Sequence, residues 1–508
     1  MANSSESYPN DREQPYNEYK KRIYEKVNWL PNSNSVTFSL DKCGYVEGPK
    51  TTTVDHTEFC NSTLFHQLIE KKISTDPSIW REAELKLIPF ETVKSFMFIN
   101  KEATKLANID AATDFMLTNM EKQGNFDLPI YFADVCAGLG AFSEYLSWKR
   151  GWDYKGFGLT LKGPNDFTLE KSKCTNFATF QKLYGKNEDG DVRNPENIRD
   201  FIDKVRNETD HVGVHLMLSD GSHTENDHSS NISKEIMLKN LYLCQCCLAL
   251  EVLRPHGTFV TKLFDVFTPF SAGLLYLMHL CFERVSILKP VTSRTSNSER
   301  YFICNDLRSD GRTEDIRRYL ATIAEKLWNY RDSPENDILE IVPLDVIMKD
   351  TTFYEYLYDT NVRIAQEQFG ALSKIVEYCK IKTASTTEVT DTNCINNTAR
   401  ELNKPWTEFN KEYLTSEQKK HLKGKCLYYF GIPFSFQPER YCSLSVSLKA
   451  YEKEMEDKML QFNLDRMPST LSTFKDNYFY CFLASNENEC PGNFYFGKFI
   501  WLLKNSLY

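Results

Sequence analysis

The chain has 508 residues, of which 41% are hydrophobic and 26% charged, and its formal net charge is −9. That length exceeds one typical core, while the apolar share suffices for globular burial. The acidic balance excludes indiscriminate binding to a nucleic-acid backbone but leaves room for a local basic strip. No run of about eighteen apolar residues occurs, so no membrane-spanning helix is expected.

In chain order, residues 1–30 are polar, rich in Asn, Ser and Tyr, and lack an apolar signal core; a disordered tail on a protein that is not secreted is expected. The cluster Lys20–Arg22 within it reads as a solvated charge run or as an aid to nuclear import. The string FINKEATKLANID predicts a helix whose Phe98, Leu106 and Ile109 face a core, with Lys105 on the flank of that stripe. Tyr131 to Ser147, YFADVCAGLGAFSEYLS, then reads as an apolar strand running into a glycine-rich turn that opens a helix. Gly138 and Gly140 allow close backbone approach, and the free N–H groups of the following helix point at whatever lies there. GLGAF lacks the third glycine of a dinucleotide loop, and a plain tight connection remains an open alternative.

Two later strands, VHLMLSD (Val214–Asp220) and GTFVTKLF (Gly257–Phe264), flank an apolar helix at about residues 232–254. A strand, crossover helix, strand unit brings both strand ends to one edge of a parallel sheet, where ligands bind. Asp220 and Lys262 are therefore expected to face the crevice of the glycine turn, a buried salt bridge being the simpler alternative. Glu299 in TSNSERYFIC stands just before a last hydrophobic strand. Of Cys244, Cys246 and Cys247, among 15 cysteines, a helix would bury two as small hydrophobes, and a metal site is not expected, since no partner pair or His cluster accompanies them. No metal ligand set is expected, and with no export signal the thiols are expected to stay reduced. Lys162, Lys289, Arg294 and Arg300 are candidates for a basic strip along the cleft.

Beyond about residue 335 the pattern changes. Residues 338–381 carry helical apolar spacing, KTASTTEVTDTNCINNTAR forms a polar linker, and a second helical patch at about residues 407–422 precedes aromatic, strand-like segments that begin with KCLYYFGIPF. The expected units are a tail (1–30), a main domain with an N-terminal extension (31–335), a helical region with linker (336–435) and a small α+β appendage (436–508).

The strings FADVCAGLGAFSEYL, GFGLTLKGPNDF, KLFDVFTPFSAGLLYL and SRTSNSERYFIC, in that order, resemble the FtsJ-type RNA ribose 2'-O-methyltransferases, most closely the eukaryotic cap 1 mRNA methyltransferases. The resemblance spans roughly residues 60–345. It implies a Rossmann-like α/β sheet with flanking helices that uses S-adenosylmethionine. It also implies a catalytic Lys, Asp, Lys, Glu tetrad at Lys105, Asp220, Lys262 and Glu299. Lys262 would be the base and Asp220 its orienting partner, with Lys105 and Glu299 holding the hydroxyl and ribose. Cofactor contacts implied are Asn100, Cys136, Ala137, Gly138, Leu139, Gly140, Ala141 and Phe142, with Asp191 and Val192 against adenine. Contacts to the capped mRNA 5' end fall at Lys71, Lys72, Asn231, Ile232, Ser233 and Asn297. Two positions depart from the family: GLGAF replaces the common GPGGF, and Glu84 stands where an arginine is usual. Partners in transcription or RNA processing, a nuclear location, and a tail similar to the start of a guanylyltransferase-like domain are further implications. The alternatives are action on the second capped nucleotide or on uncapped structured RNA, and a catalytically silent cap-binding protein.

Overall fold

The computed structural model describes residues 13–32, 44–70, 76–95, 97–120, 129–150, 153–172, 175, 177, 179–222, 233–387 and 414–432. Helix α1 (Glu13–Ile23), strands β1 (Leu30–Pro31) and β2 (Val46–Gly48), and helices α2 (Ser62–Glu70), α3 (Pro77–Leu87) and α4 (Glu102–Ala112) come first. The central body follows as β3 (Ile130–Val135), α5 (Ala141–Arg150), β4 (Tyr154–Leu159), β5 (Phe180–Leu183), α6 (Pro195–Glu208) and β6 (Val214–Ser219). It continues with α7 (Lys234–Val252), β7 (Leu253–Leu263), α8 (Pro269–Cys281), β8 (Phe282–Leu288) and β9 (Arg300–Leu307). The chain then forms α9 (Gly311–Asn329), β10 (Asp337–Glu340), α10 (Leu344–Lys349), α11 (Thr351–Thr387) and α12 (Ser416–Tyr429).

An eight-stranded sheet in the order β1-β8-β9-β7-β6-β3-β4-β5 organises the molecule. Strands β5, β4, β3, β6 and β7 are mutually parallel, whereas β9 runs antiparallel between β7 and β8. The chain leaves β3 toward β4 on one side and returns to β6 on the other, which makes the β3–β6 boundary a topological switch point with a crevice at the strands' carboxyl ends. Because β9 is antiparallel, its beginning lies at that same edge: Lys262 pairs with Tyr301 and Leu263 with Arg300. This register delivers the residues just before β9 to the crevice. The α/β architecture expected from the strand and crossover pattern is the one observed.

Local chemistry explains where the helices start. Pro195 opens α6 behind Asn194, whose side chain accepts from the Glu196 N–H; Thr268 with Pro269 does the same for α8, and Asp310 caps α9. Helix α7 is apolar nearly all round, with Cys244, Cys246 and Cys247 buried as small hydrophobes in the core beneath the sheet. A second core on the opposite face joins α4 and α5 to α1 and α12.

Three expectations are corrected. Within the tail expected to be disordered, residues 13–23 form a helix, because Tyr16, Tyr19 and Ile23 share one face: Ile23 is fully buried and Tyr19 meets Phe90 edge to face. KCLYY, read as the start of a strand, is the end of α12. A Thr415/Gln418 capping box starts that helix, and Leu422, Cys426 and Tyr429 at helical spacing reach the core. Residues 338–340, the start of the stretch read as helical, lie in β10, which pairs with β2, and α11 packs on α2 and α3, so the segment after residue 335 is built onto the N-terminal extension. Most of the polar linker and the 436–508 appendage lie outside the described residues. No described helix is long and apolar enough to cross a membrane.

Truncating Leu422 to Ala removes a fully buried side chain and should cost about 2–5 kcal/mol. Hydrogen exchange read by mass spectrometry should then accelerate in residues 416–429, with the central sheet unchanged. Equal exchange in both proteins would contradict the docking of α12.

Candidate active site

At the carboxyl end of β3 the backbone turns through two left-handed glycines, Gly138 and Gly140, and through Cys136, at φ of 54°, 89° and 56°. The turn is pinned from behind: Cys136 donates to the Leu159 carbonyl at 2.7 Å, Gly138 to the Thr160 hydroxyl at 3.0 Å, and Thr168 to the Leu139 carbonyl at 3.2 Å. Residues 136–139 remain partly exposed. A Cβ built on Gly138 would find nothing nearer than the Asn165 carbonyl at 3.8 Å, so the turn borders open space. Ala141, where the family has glycine, is the first residue of α5 and has no positive φ, so its methyl group is accommodated without strain. Phe142 is buried against Tyr301.

Asp134, fully buried at the end of β3, accepts from the N–H and hydroxyl of Ser143 at 3.0 and 2.6 Å and so fixes the start of α5. Its other oxygen, Oδ1, has no protein partner, and burial pushes the carboxyl up to about 7. The open glycine turn at the N-terminus of α5 suits a polar cofactor approached by the backbone better than an apolar one. Asp191 lies close enough to influence Cys136, whose thiol is pushed up to about 12 by burial first and by Asp191 second. Its carboxylate is held by Arg193 at 2.8 and 3.0 Å. Val192 is buried in the core, which leaves its backbone rather than its side chain for a ligand. Asn100 accepts from the Glu102 N–H at 2.9 Å and thereby helps start α4.

The four tetrad candidates converge. Lys262 Nζ lies 3.0 Å from Asp220 Oδ1, and Lys105 Nζ lies 2.8 Å from Glu299 Oε1. Both lysines are 5% exposed. Lys105 also lies 2.5 Å from Glu102 Oε2. Burial disfavours its charge, but Glu299, Glu102 and Asp220 together hold it above the ordinary lysine value. Glu299 is likewise disfavoured by burial yet held low by Lys105 and Lys262, which ties the two ion pairs into one cluster. Tyr301 donates to Asp220 at 2.8 Å and Ser293 to Glu299 at 2.5 Å. Sequence reasoning missed Tyr301, Ser293 and Glu102. The β7–β9 register would have found Tyr301, since it stands directly opposite Lys262.

Two members of the expected basic strip are corrected. Arg300 is 1% exposed and is spent on the Ser298 carbonyl and the Asn361 and Asp265 side chains. Lys289 is also buried and donates to the Asn297 carbonyl at 2.6 Å and the Glu299 carbonyl at 2.9 Å. Neither reaches a phosphate; both hold the loop that presents Glu299. Asn297 contributes to that loop too, accepting from the Glu299 N–H at 3.1 Å. Lys162 is half exposed, beside Glu188 and over the Tyr184 ring, and Arg294 reaches Glu91 at 3.1 Å.

Glu84 is 5% exposed, not a surface group. It accepts from Arg81 at 3.0 Å and from the Ser296 hydroxyl at 2.9 Å, so it ties α3 to the Glu299 loop. Ser233 stands at the N-terminus of α7, its N–H donating to the Thr52 carbonyl at 2.9 Å. Lys71, Lys72, Asn231 and Ile232 lie outside the described residues.

Residues 98–307 match the FtsJ-like methyltransferase family. Curated relatives bear the name cap-specific mRNA (nucleoside-2'-O-)-methyltransferase 1. The Danio rerio protein is 41% identical over 375 residues, which are 70% of this chain and 44% of that protein. The Drosophila melanogaster protein is 40% identical over 371 residues, 70% of this chain and 47% of its own length. The Homo sapiens protein is 39% identical over 378 residues, 71% and 45% respectively. The chain thus spans less than half the length of these relatives.

Burial is the main reason that Lys289 is pulled down to about 7 from an ordinary lysine value of 10.5, while Glu299 and Glu367 resist and Arg300 and Arg22 assist. Between those limits the unfolded chain binds more protons than the folded one, so the stability of the parent protein should rise with pH. Relative to Lys289→Met, it should gain steadily from about pH 7 toward pH 10 in chemical denaturation. A pH-independent difference between the two proteins would contradict the buried placement of this amine.

Proposed function

We propose that this chain, in which residues 98–307 form an FtsJ-like methyltransferase domain, methylates the ribose 2'-hydroxyl of the first transcribed nucleotide of 7-methylguanosine-capped mRNA. The observation that carries the reading is the unlike company of two buried lysines at one sheet edge. Lys105 stands between two carboxylates, Glu299 at 2.8 Å and Glu102 at 2.5 Å. Lys262 has one, Asp220, which also accepts the Tyr301 hydroxyl. Such a pair divides the work of acid–base chemistry: Lys105 stays an ammonium that holds an oxygen, and Lys262 is the amine left to take a proton.

S-adenosylmethionine, when bound, supplies a methyl group on a sulfonium, whose transfer releases a neutral thioether. The turn from Cys136 to Phe142, which borders open space at Gly138, and the Asp191–Val192 backbone would hold it. The ribose hydroxyl is a weak nucleophile until its proton is drawn off. Lys262 receives that proton, Asp220 fixes the direction of its Nζ, and Tyr301 fixes Asp220. Lys105 and Glu299 hold the ribose oxygens so that attack is in line with the methyl group. Burial of both lysines keeps water from competing for these contacts.

For the cap, the resemblance assigns Asn297 and Ser233 together with Lys71, Lys72, Asn231 and Ile232. Arg81, Lys101 and Arg294, which surround the carboxylates of Glu84 and Glu91, offer cations for the phosphates near it. A substrate of this kind would be met in the nucleus, in the company of the transcription and RNA-processing machinery, as the resemblance implies.

The test is methyl transfer from labelled S-adenosylmethionine to capped and uncapped RNA, followed by nuclease mapping. Label should appear on the first nucleotide's ribose of capped RNA only. Lys262→Ala should lower the rate by about 10²-fold or more. Label on a base, or equal transfer to uncapped RNA, would overturn the reading.

A further inference from the structure

The four tetrad side chains balance two positive charges against two negative ones, and Glu102 adds a third carboxylate that they do not neutralise. It reaches the cluster from the first turn of α4, one turn before Lys105, and its Oε2 lies nearer to Lys105 than Glu299 does, at 2.5 against 2.8 Å. The groups around it come from each wall of the site: Lys105 on α4, Asp220 after β6, Lys262 on β7 and Glu299 before β9. A lysine held between two carboxylates from different elements is confined by charge from two sides. With Glu299 alone, the four-bond Lys105 side chain has one anchor and retains rotamer freedom.

We propose that Glu102 is a positioning residue of the transfer: by sharing Lys105 with Glu299 it holds that ammonium beneath the ribose oxygens. This rests on the methyl-transfer reading above. Burial, only partly offset by Lys105, raises the Glu102 carboxyl above its usual value. Its charged form is therefore present above that raised value and is lost as the pH falls through it. The clamp on Lys105 loosens on the acid side, while Glu299, held low, stays charged.

The experiment compares the wild-type protein with Glu102→Gln and Glu102→Asp in methyl transfer to capped RNA between pH 5.5 and 9, with thermal melting of all three. Wild type should exceed Glu102→Gln in kcat by about tenfold at pH 8, the effect of one close ion pair in a buried cluster, with the KM for RNA unchanged. The ratio should be smaller at the acid end than at pH 8, because the raised carboxyl of wild type loses its charge on that side. Glu102→Asp should recover part of the rate, and Glu102→Gln should melt no lower than wild type, since it removes a carboxylate whose charge is disfavoured by burial. Equal rates at every pH would overturn the inference, and so would a ratio constant across pH with a lowered melting temperature, the mark of a merely structural residue. Wild type failing to methylate capped RNA is a separate result, which refutes the functional reading on which the inference rests.

Discussion

Two lysines paired with carboxylates beneath the surface, at one edge of a parallel sheet, are the constraint on which the site depends. Removing such charges from water costs several kcal/mol each, and pairing alone repays that cost only with good geometry. Hydrophobic replacement of buried ion pairs is often neutral or stabilising for a fold. The retention of this cluster is therefore an argument about chemistry. The architecture supplies the geometry: parallel strands β6 and β7 end side by side, and antiparallel β9 begins opposite the end of β7, so Asp220, Lys262 and Glu299 meet although they are far apart in sequence.

Around that edge, much of the molecule serves to hold loops still. Glu235, fully buried on α7, accepts from the Phe267 and Thr268 N–H groups and fixes the loop that follows β7. Lys289 and Arg300 bind carbonyls in the loop before β9, and Glu84 ties that loop to α3. Glu144 on α5 accepts from the Ile99 N–H at 2.7 Å and anchors the segment leading into α4. Each contact spends a buried polar group on holding a loop rather than on a substrate, the pattern expected where reacting atoms must be placed within a fraction of an ångström.

The alternation and run length of VHLMLSD and GTFVTKLF made the sheet legible in the sequence, and the placement of Asp220 and Lys262 at strand ends followed from topology rules that hold for any parallel crossover. What could not be read was the antiparallel return of β9, because period-2 apolar patterning says nothing of strand direction; Tyr301 and the inward burial of Arg300 depend on it. Charged residues misled in the same way. Lys289 and Arg300 look like a basic strip when only composition is considered, yet each satisfies buried carbonyls, a role visible only once the loop is folded over them. Glu102 escaped notice because one carboxylate in the charged string NKEATK is unremarkable until α4 is docked against β7 and β9. KCLYY was misread because aromatic residues favour strands on average, and the Thr415 capping box with the Leu422, Cys426 and Tyr429 stripe overrides that preference.

The central claim is spatial: a ribose 2'-oxygen must fit between Lys262 and Lys105, next to the opening at Gly138. A crystal structure with S-adenosylhomocysteine and a capped oligonucleotide measures this directly. The account predicts the first nucleotide's 2'-oxygen within hydrogen-bond reach of Lys262 Nζ, in line with the cofactor sulfur. A ribose bound elsewhere, with the Lys262–Asp220 pair closed off from both ligands, would contradict it.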